Sequence, residues 1–135
     1  MEKTFAIIKP DALAADNAEK IIDMIEADGF RILKKETMNW DHSTAEQFYA
    51  IHKEKPFFNG LVEFMTSGPL IIMVLQKDNA IKDWRDLMGA TNPANAAEGT
   101  IRKLYGESID YNATHGSDAP ETAKLEIGQF YPELV

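Results

Sequence analysis

A chain of 135 residues carrying 14 basic and 22 acidic side chains, net charge −8, is sized for one domain with a core of its own. Its lack of cysteine excludes disulfides and thiolate metal sites, and its acidity argues against a broad nucleic-acid footprint, which draws on a basic face. No apolar run reaches the roughly eighteen residues of a membrane span, so a cytoplasmic protein with no membrane partner is expected.

Lys3 to Ile8 is rich in branched and aromatic residues and stops at Pro10, which reads as a buried strand ending in a Lys9-Pro10-Asp11 turn. Ala18, Ile21, Ile22 and Ile25 follow helical spacing as far as Gly29. Phe30 to Met38 reads as a second strand with an exposed or edge portion at Lys34, Lys35 and Glu36. Ser43-Thr44-Ala45-Glu46 matches a capping box, so a short helix should carry Phe48, Tyr49 and His52, and Pro56 should open another from Phe57 to about Thr66. Leu70 to Gln76 is almost continuously apolar, as a central strand covered on both faces would be.

Asp78 or Asn79 is placed to cap a helix through Met88, with Gly89 as its stop. Ala90 to Gly99 is a loop long enough to suggest a function. Thr100 to Tyr105 reads as a helical turn bearing Arg102, Asn112 to His115 as a short strand, and Asp118 with Glu121 as the cap of a last helix bearing Leu125, Glu126 and Phe130. With no linker, residues 1–135 read as a single α+β domain, a ferredoxin-like sandwich whose four-stranded antiparallel sheet is covered by helices.

For chemistry, the stretch Asn112-Ala113-Thr114-His115-Gly116-Ser117-Asp118 sets an imidazole among small residues, where it is accessible as a nucleophile or base. His42, His52 and His115 lie in different segments without metal-ligand spacing, and Ser117 lacks a glycine-framed elbow. The glycine-rich phosphate loop and the dinucleotide fingerprint are absent as well. Lys9, Arg85 and Arg102 are each either phosphate ligands or solvated surface charges. Phe57-Phe58 is either core alone or core plus a platform for a nucleobase, and Tyr49 with His52 either faces a site or marks a boundary between core and water.

Taken together, Lys9-Pro10-Asp11-Ala12, Phe48-Tyr49-Ala50-x-His52-Lys53, Pro56-Phe57-Phe58, Phe64 to Pro69, Leu87 to Ala94, Gly99-Thr100-Ile101-Arg102 and Asn112-x-x-His115-Gly116-Ser117-Asp118 closely resemble nucleoside diphosphate kinase. The resemblance runs in order from Thr4 to about Phe130. It implies ping-pong transfer of a γ-phosphate through a phosphohistidine on His115, phosphorylated at Nδ1, with broad tolerance of base and sugar. It also implies that Lys9 and Asn112 lie near the sugar, that Arg85, Thr91 and Arg102 hold phosphates with His52 nearby, and that Phe57 stacks on the base. Tyr49 would border the histidine, and Ser117 and Glu126 would orient it. Mg²⁺ would be bound mainly through the nucleotide's phosphates, with no protein metal site, and the assembly would be a homotetramer or homohexamer. A phosphohistidine carrier and a regulatory nucleotide-binding module are the alternatives. Glu19, Met24, Leu104 and Ala119 depart from the family's common pattern.

Overall fold

In the computed structural model, which describes residues 1–135, β1 (Glu2–Ile8) leads directly into α1 (Pro10–Ala14). The expected turn at Lys9-Pro10-Asp11 is therefore a helix entry, because proline's fixed φ suits the first helical position and its missing N–H is not needed there. α2 (Ala18–Ala27) buries Ile21, Ile22 and Ile25 on the face that their spacing creates, and β2 (Arg31–Met38) is exposed along most of its length.

α3 (His42–Phe48) starts one residue before the expected box, and its cap is Asp41, which accepts from the Thr44 N–H at 2.8 Å. A 3₁₀ turn over Ala50–His52 and α4 (Phe58–Met65) lead to β3 (Leu70–Lys77) and α5 (Ala80–Met88). The long loop holds a 3₁₀ turn at Pro93–Asn95, and α6 (Ile101–Tyr105), β4 (Thr114–Gly116) and α7 (Pro120–Phe130) complete the chain's main elements.

Two further caps differ from the sequence reading. Asn79 precedes α5 in a left-handed conformation and makes no side-chain cap; the Ile81 N–H instead donates to Glu2 Oε1 on β1 at 2.9 Å. Ala119, not Asp118, occupies the cap position of α7, with Pro120 opening the helix.

The strands order as β2-β3-β1-β4, every neighbour antiparallel. Because side chains alternate along a strand, β1 and β3 feed two cores. Ala6, Ile8, Met73 and Leu75 meet Ile21, Ile25 and Trp84 on one face; Phe5, Ile7, Ile72 and Val74 meet Phe48, Val62, Met65 and Ile127 on the other. Each fully buried Val, Leu, Ile, Phe or Met side chain among them contributes about 1.5–3 kcal/mol, which is why the two most apolar strands take the centre. The β2 edge carries the lysines, where unpaired backbone stays wet. With helices on both faces and this strand order, the fold is a ferredoxin-like α+β sandwich.

Register then positions the chemistry. Ile7 pairs with His115 and Ile8 with Thr114, so Lys9 leaves β1 beside the residues that enter β4. Of the departures from the family pattern, Glu19 and Leu104 are exposed, Met24 packs partly against the first core and Ala119 starts α7.

Candidate active site

His115 is half-buried on the short β4, and its Nε2 lies 3.2 Å from each oxygen of the Glu126 carboxylate on α7. An ionised carboxylate only accepts, so the ring proton belongs on Nε2 and the Nδ1 lone pair is left free. Behind the ring, Ser117 Oγ accepts from the Phe5 N–H at 3.2 Å and donates to Glu126 Oε1 at 2.7 Å. The carboxylate is thereby tied to β1 as well as to its own helix.

The backbone of β4 is held as closely as the ring. The Trp84 indole N–H donates to the His115 carbonyl at 3.1 Å. This approach depends on Gly116, where an added Cβ would lie 2.5 Å from the Trp84 ring and 2.6 Å from Met88 Cε. Phe48 and Tyr49 meet the imidazole edge-on, with centroids 5.1 and 6.2 Å away. The buried Tyr49 hydroxyl has no partner within the chain; burial first, and the Glu126 charge second, push its ionisation upward, so it stays an O–H donor.

Cations gather on the same side. Arg102 is buried and donates through one Nη to the Gly89 carbonyl and through the other to the Thr114 carbonyl, both at 2.9 Å. Gly89 sits at φ +86 with Thr100 against it, so a side chain there would disturb the carbonyl that Arg102 holds. Burial, and then the neighbouring Arg85 charge, lower the Arg102 pKa to about 10. Lys9, also buried, is lowered to about 8 by burial and then by Arg102, against the opposing pull of Asp11 and Asp110. No carboxylate forms an ion pair with Lys9, Arg85 or Arg102. Like charges crowded with no carboxylate in salt-bridge contact favour an anionic ligand.

Lys9 Nζ donates to Asn112 Oδ1 at 2.9 Å, and Asn112 Nδ2 donates to the Thr91 carbonyl at 3.1 Å, so the Ala90–Gly99 loop is pinned to the β4 entry. Phe57 is about half exposed, 5.5 Å between centroids from His52, which in turn lies 6.4 Å from Tyr49. A cleft of about 940 Å³ runs beside α5, with Arg85, Thr91, Arg102 and Gly116 on its wall.

A free imidazole nitrogen, unpaired cations and an exposed aromatic ring suit a phosphorylated, base-bearing substrate. The family model for nucleoside diphosphate kinase matches residues 2–134. The chain belongs to the nucleoside diphosphate kinase family. It is 56% identical over 131 residues to the nucleoside diphosphate kinase of Trichlorobacter lovleyi, covering 97% of this chain and 95% of that one. With the enzyme of Citrifermentans bemidjiense it shares 54% identity over 134 residues, 99% and 98% of the two chains. Its fold superposes on a crystal structure of the Aquifex aeolicus nucleoside diphosphate kinase with a TM-score of 0.96, at 39% identity over 98% of this chain and 96% of that chain. This is therefore a nucleoside diphosphate kinase domain, and the reaction class is phosphotransfer.

Sequence reasoning did not single out Phe48, Trp84 or Asp11 around the His115 strand of this nucleoside diphosphate kinase. Phe48 and Trp84 are core residues whose apolar bodies fill the two cores, while a ring edge of Phe48 reaches the imidazole and the Trp84 N–H reaches the His115 carbonyl. Only the cross-sheet register shows the second contact.

Proposed function

We propose that this chain transfers the γ-phosphate of a nucleoside triphosphate to a nucleoside diphosphate through a phosphohistidine on His115. In the first half-reaction the Nδ1 lone pair attacks the γ-phosphorus, the bond to the bridging oxygen breaks, and the nucleoside diphosphate departs. The second half-reaction is the reverse, with another diphosphate as acceptor. The observation that carries this reading is the Glu126 carboxylate on Nε2, which leaves Nδ1 unprotonated, while Arg102, with no salt-bridge partner, rests on the carbonyl of the residue before His115.

In this reading Arg85, Arg102 and Thr91 hold the phosphates, and the charge that spreads over their oxygens in the transition state is met by groups already in place. Lys9 and Asn112 take the sugar hydroxyls, Lys9 within reach of phosphate, while His52 lies close to the phosphates. Phe57 stacks on the base and discriminates little among bases, since every base has a π-face. Tyr49 borders the nucleophile as a donor, and Ser117 orients Glu126.

Mg²⁺ belongs to the substrate. No cluster of three or more His, Asp or Glu side chains converges in the chain, which suits an ion that arrives on the phosphates and supplies charge neutralisation there. No helix is long and apolar enough to cross a membrane. A homotetramer or homohexamer working in the cytoplasm completes the reading.

The test is incubation with Mg²⁺ and γ-labelled ATP followed by a chase with unlabelled GDP. An acid-labile, alkali-stable phosphoenzyme that discharges to labelled GTP is expected, and its absence would refute the reading. His115→Ala should take up no label while still binding nucleotide; a labelled mutant would mean that another side chain is the nucleophile.

A further inference from the structure

The residue two before His115 is the most unusual point of the backbone. Ala113 is fully buried at φ +75, and the Thr114 N–H donates back to the Asn112 carbonyl at 2.9 Å. An i to i+2 bond across a positive φ is a γ-turn of the strained kind, rare for a residue that carries a Cβ. Strain of this sort persists only where surrounding groups over-determine it.

The groups that do so come from the other end of the chain. The Lys9 N–H donates to the Ala113 carbonyl at 2.8 Å, and the Ala113 N–H, which has no backbone acceptor, donates to Asp11 Oδ2 at 3.1 Å. The other oxygen of Asp11 is buried with no partner, and the Ala113 N–H is the long-range bond that the side chain makes. Burial pushes the Asp11 carboxyl above the usual range, and the Ala113 N–H and the Lys9 charge pull the other way.

What the turn holds is the site. Asn112, just before it, bridges Lys9 and the Thr91 carbonyl; Thr114, just after it, offers the carbonyl on which Arg102 rests; His115 follows. Relaxing Ala113 to an ordinary φ would swing Asn112 away from Lys9 and shift the origin of β4.

We propose that Asp11 is a positioning residue for phosphoryl transfer: by accepting the Ala113 N–H it holds the strained turn and so sets where Asn112 and His115 stand relative to Lys9. The inference rests on His115 being the phosphate acceptor. It is separable from a second possible effect of the carboxylate, its charge on Lys9, because asparagine keeps an acceptor and loses the charge.

The experiment measures the single-turnover rate of phosphoenzyme formation at saturating Mg²⁺ and γ-labelled ATP, with thermal midpoints as a check on folding. The unsubstituted protein must label first; if it does not, the kinase reading itself fails. Given labelling, Asp11→Ala should slow the reaction at least about tenfold, as small displacements of reacting groups do. Asp11→Asn, and Asp11→Ala combined with Ala113→Gly, should each regain at least half of that loss on a logarithmic scale. Glycine rescues because it adopts a positive φ without help, an outcome that a merely structural role for the carboxylate would not produce at saturating substrate. A smaller loss for Asp11→Ala, or no such recovery in either rescue, would overturn the proposal. If Asp11→Ala does not fold, the two rescue variants decide: both within about tenfold of the parent rate support it, and either one slower overturns it.

Discussion

The imidazole of His115 and the carboxylate of Glu126 meet along one edge, Nε2 lying 3.2 Å from both oxygens, while Ser117 donates to one of those oxygens at 2.7 Å. The arrangement leaves a single ring nitrogen for chemistry, and it makes the proton on the other a matter of charge. Glu126→Gln keeps the size and loses the charge. A hydrogen bond to a charged group is worth about 1.5–3 kcal/mol, so phosphoenzyme formation should fall by about 10- to 100-fold. Rapid-quench labelling measures this, and a rate unchanged by the substitution would show that the carboxylate does not orient the ring.

Lys9 carries a pH dependence. Its pKa, lowered to about 8 by burial and then by Arg102, lies where neutral-to-alkaline conditions remove its proton from the free protein. The charged form is the one that binds an anion, so kcat/KM should decline as pH rises through about 8. For stability the sign is opposite: a lysine whose folded pKa is depressed favours the folded state once pH exceeds it, so Lys9 contributes no loss of stability over the same interval. Lys9→Arg should remove the alkaline decline in kcat/KM, and an identical profile in that variant would assign the decline to another group.

Phe57 is about half exposed and belongs to neither core, so Phe57→Ala should leave the thermal midpoint close to that of the parent. Loss of stacking costs about 1–3 kcal/mol per base, and KM for diphosphates should rise correspondingly and by similar factors for purines and pyrimidines. Competition assays with several diphosphates read this out. A selective loss for one base would point to recognition of base edges.

Gly116→Ala tests the packing behind the nucleophile. The new methyl would meet Trp84 and Met88 inside a dense core, and overpacking of that kind costs about 1–3 kcal/mol. Chemical denaturation should show the loss, with a change in Trp84 fluorescence as the indole shifts from the His115 carbonyl. Full stability in this variant would mean that the ring yields easily.

Much of the architecture is legible in local pattern. The apolar run at Leu70 to Leu75 becomes the doubly buried β3, the isoleucines of α2 face one core, and the lysines at 34 and 35 lie on the edge strand. Caps are less legible, since several acceptors compete for one donor. Asp41 takes the Thr44 N–H in place of the Ser43 box, and Glu2, 79 positions away from Ile81, caps α5 where Asn79 does not.

The sequence by itself determined the family, the order of elements, and a set of residues that long motifs single out, because short-range spacing and residue type are properties of the chain alone. Only the tertiary structure decided which nitrogen of His115 meets Glu126, that Arg102 rests on two carbonyls, that Phe48 borders the imidazole while Trp84 holds the His115 carbonyl, and that Asp11 meets Ala113 across 102 positions. The contact of Asp11 with Ala113 follows from the pairing of β1 with β4. A one-residue slip of that register would send His115 to the other face, and nothing local to either strand specifies the partner it finds.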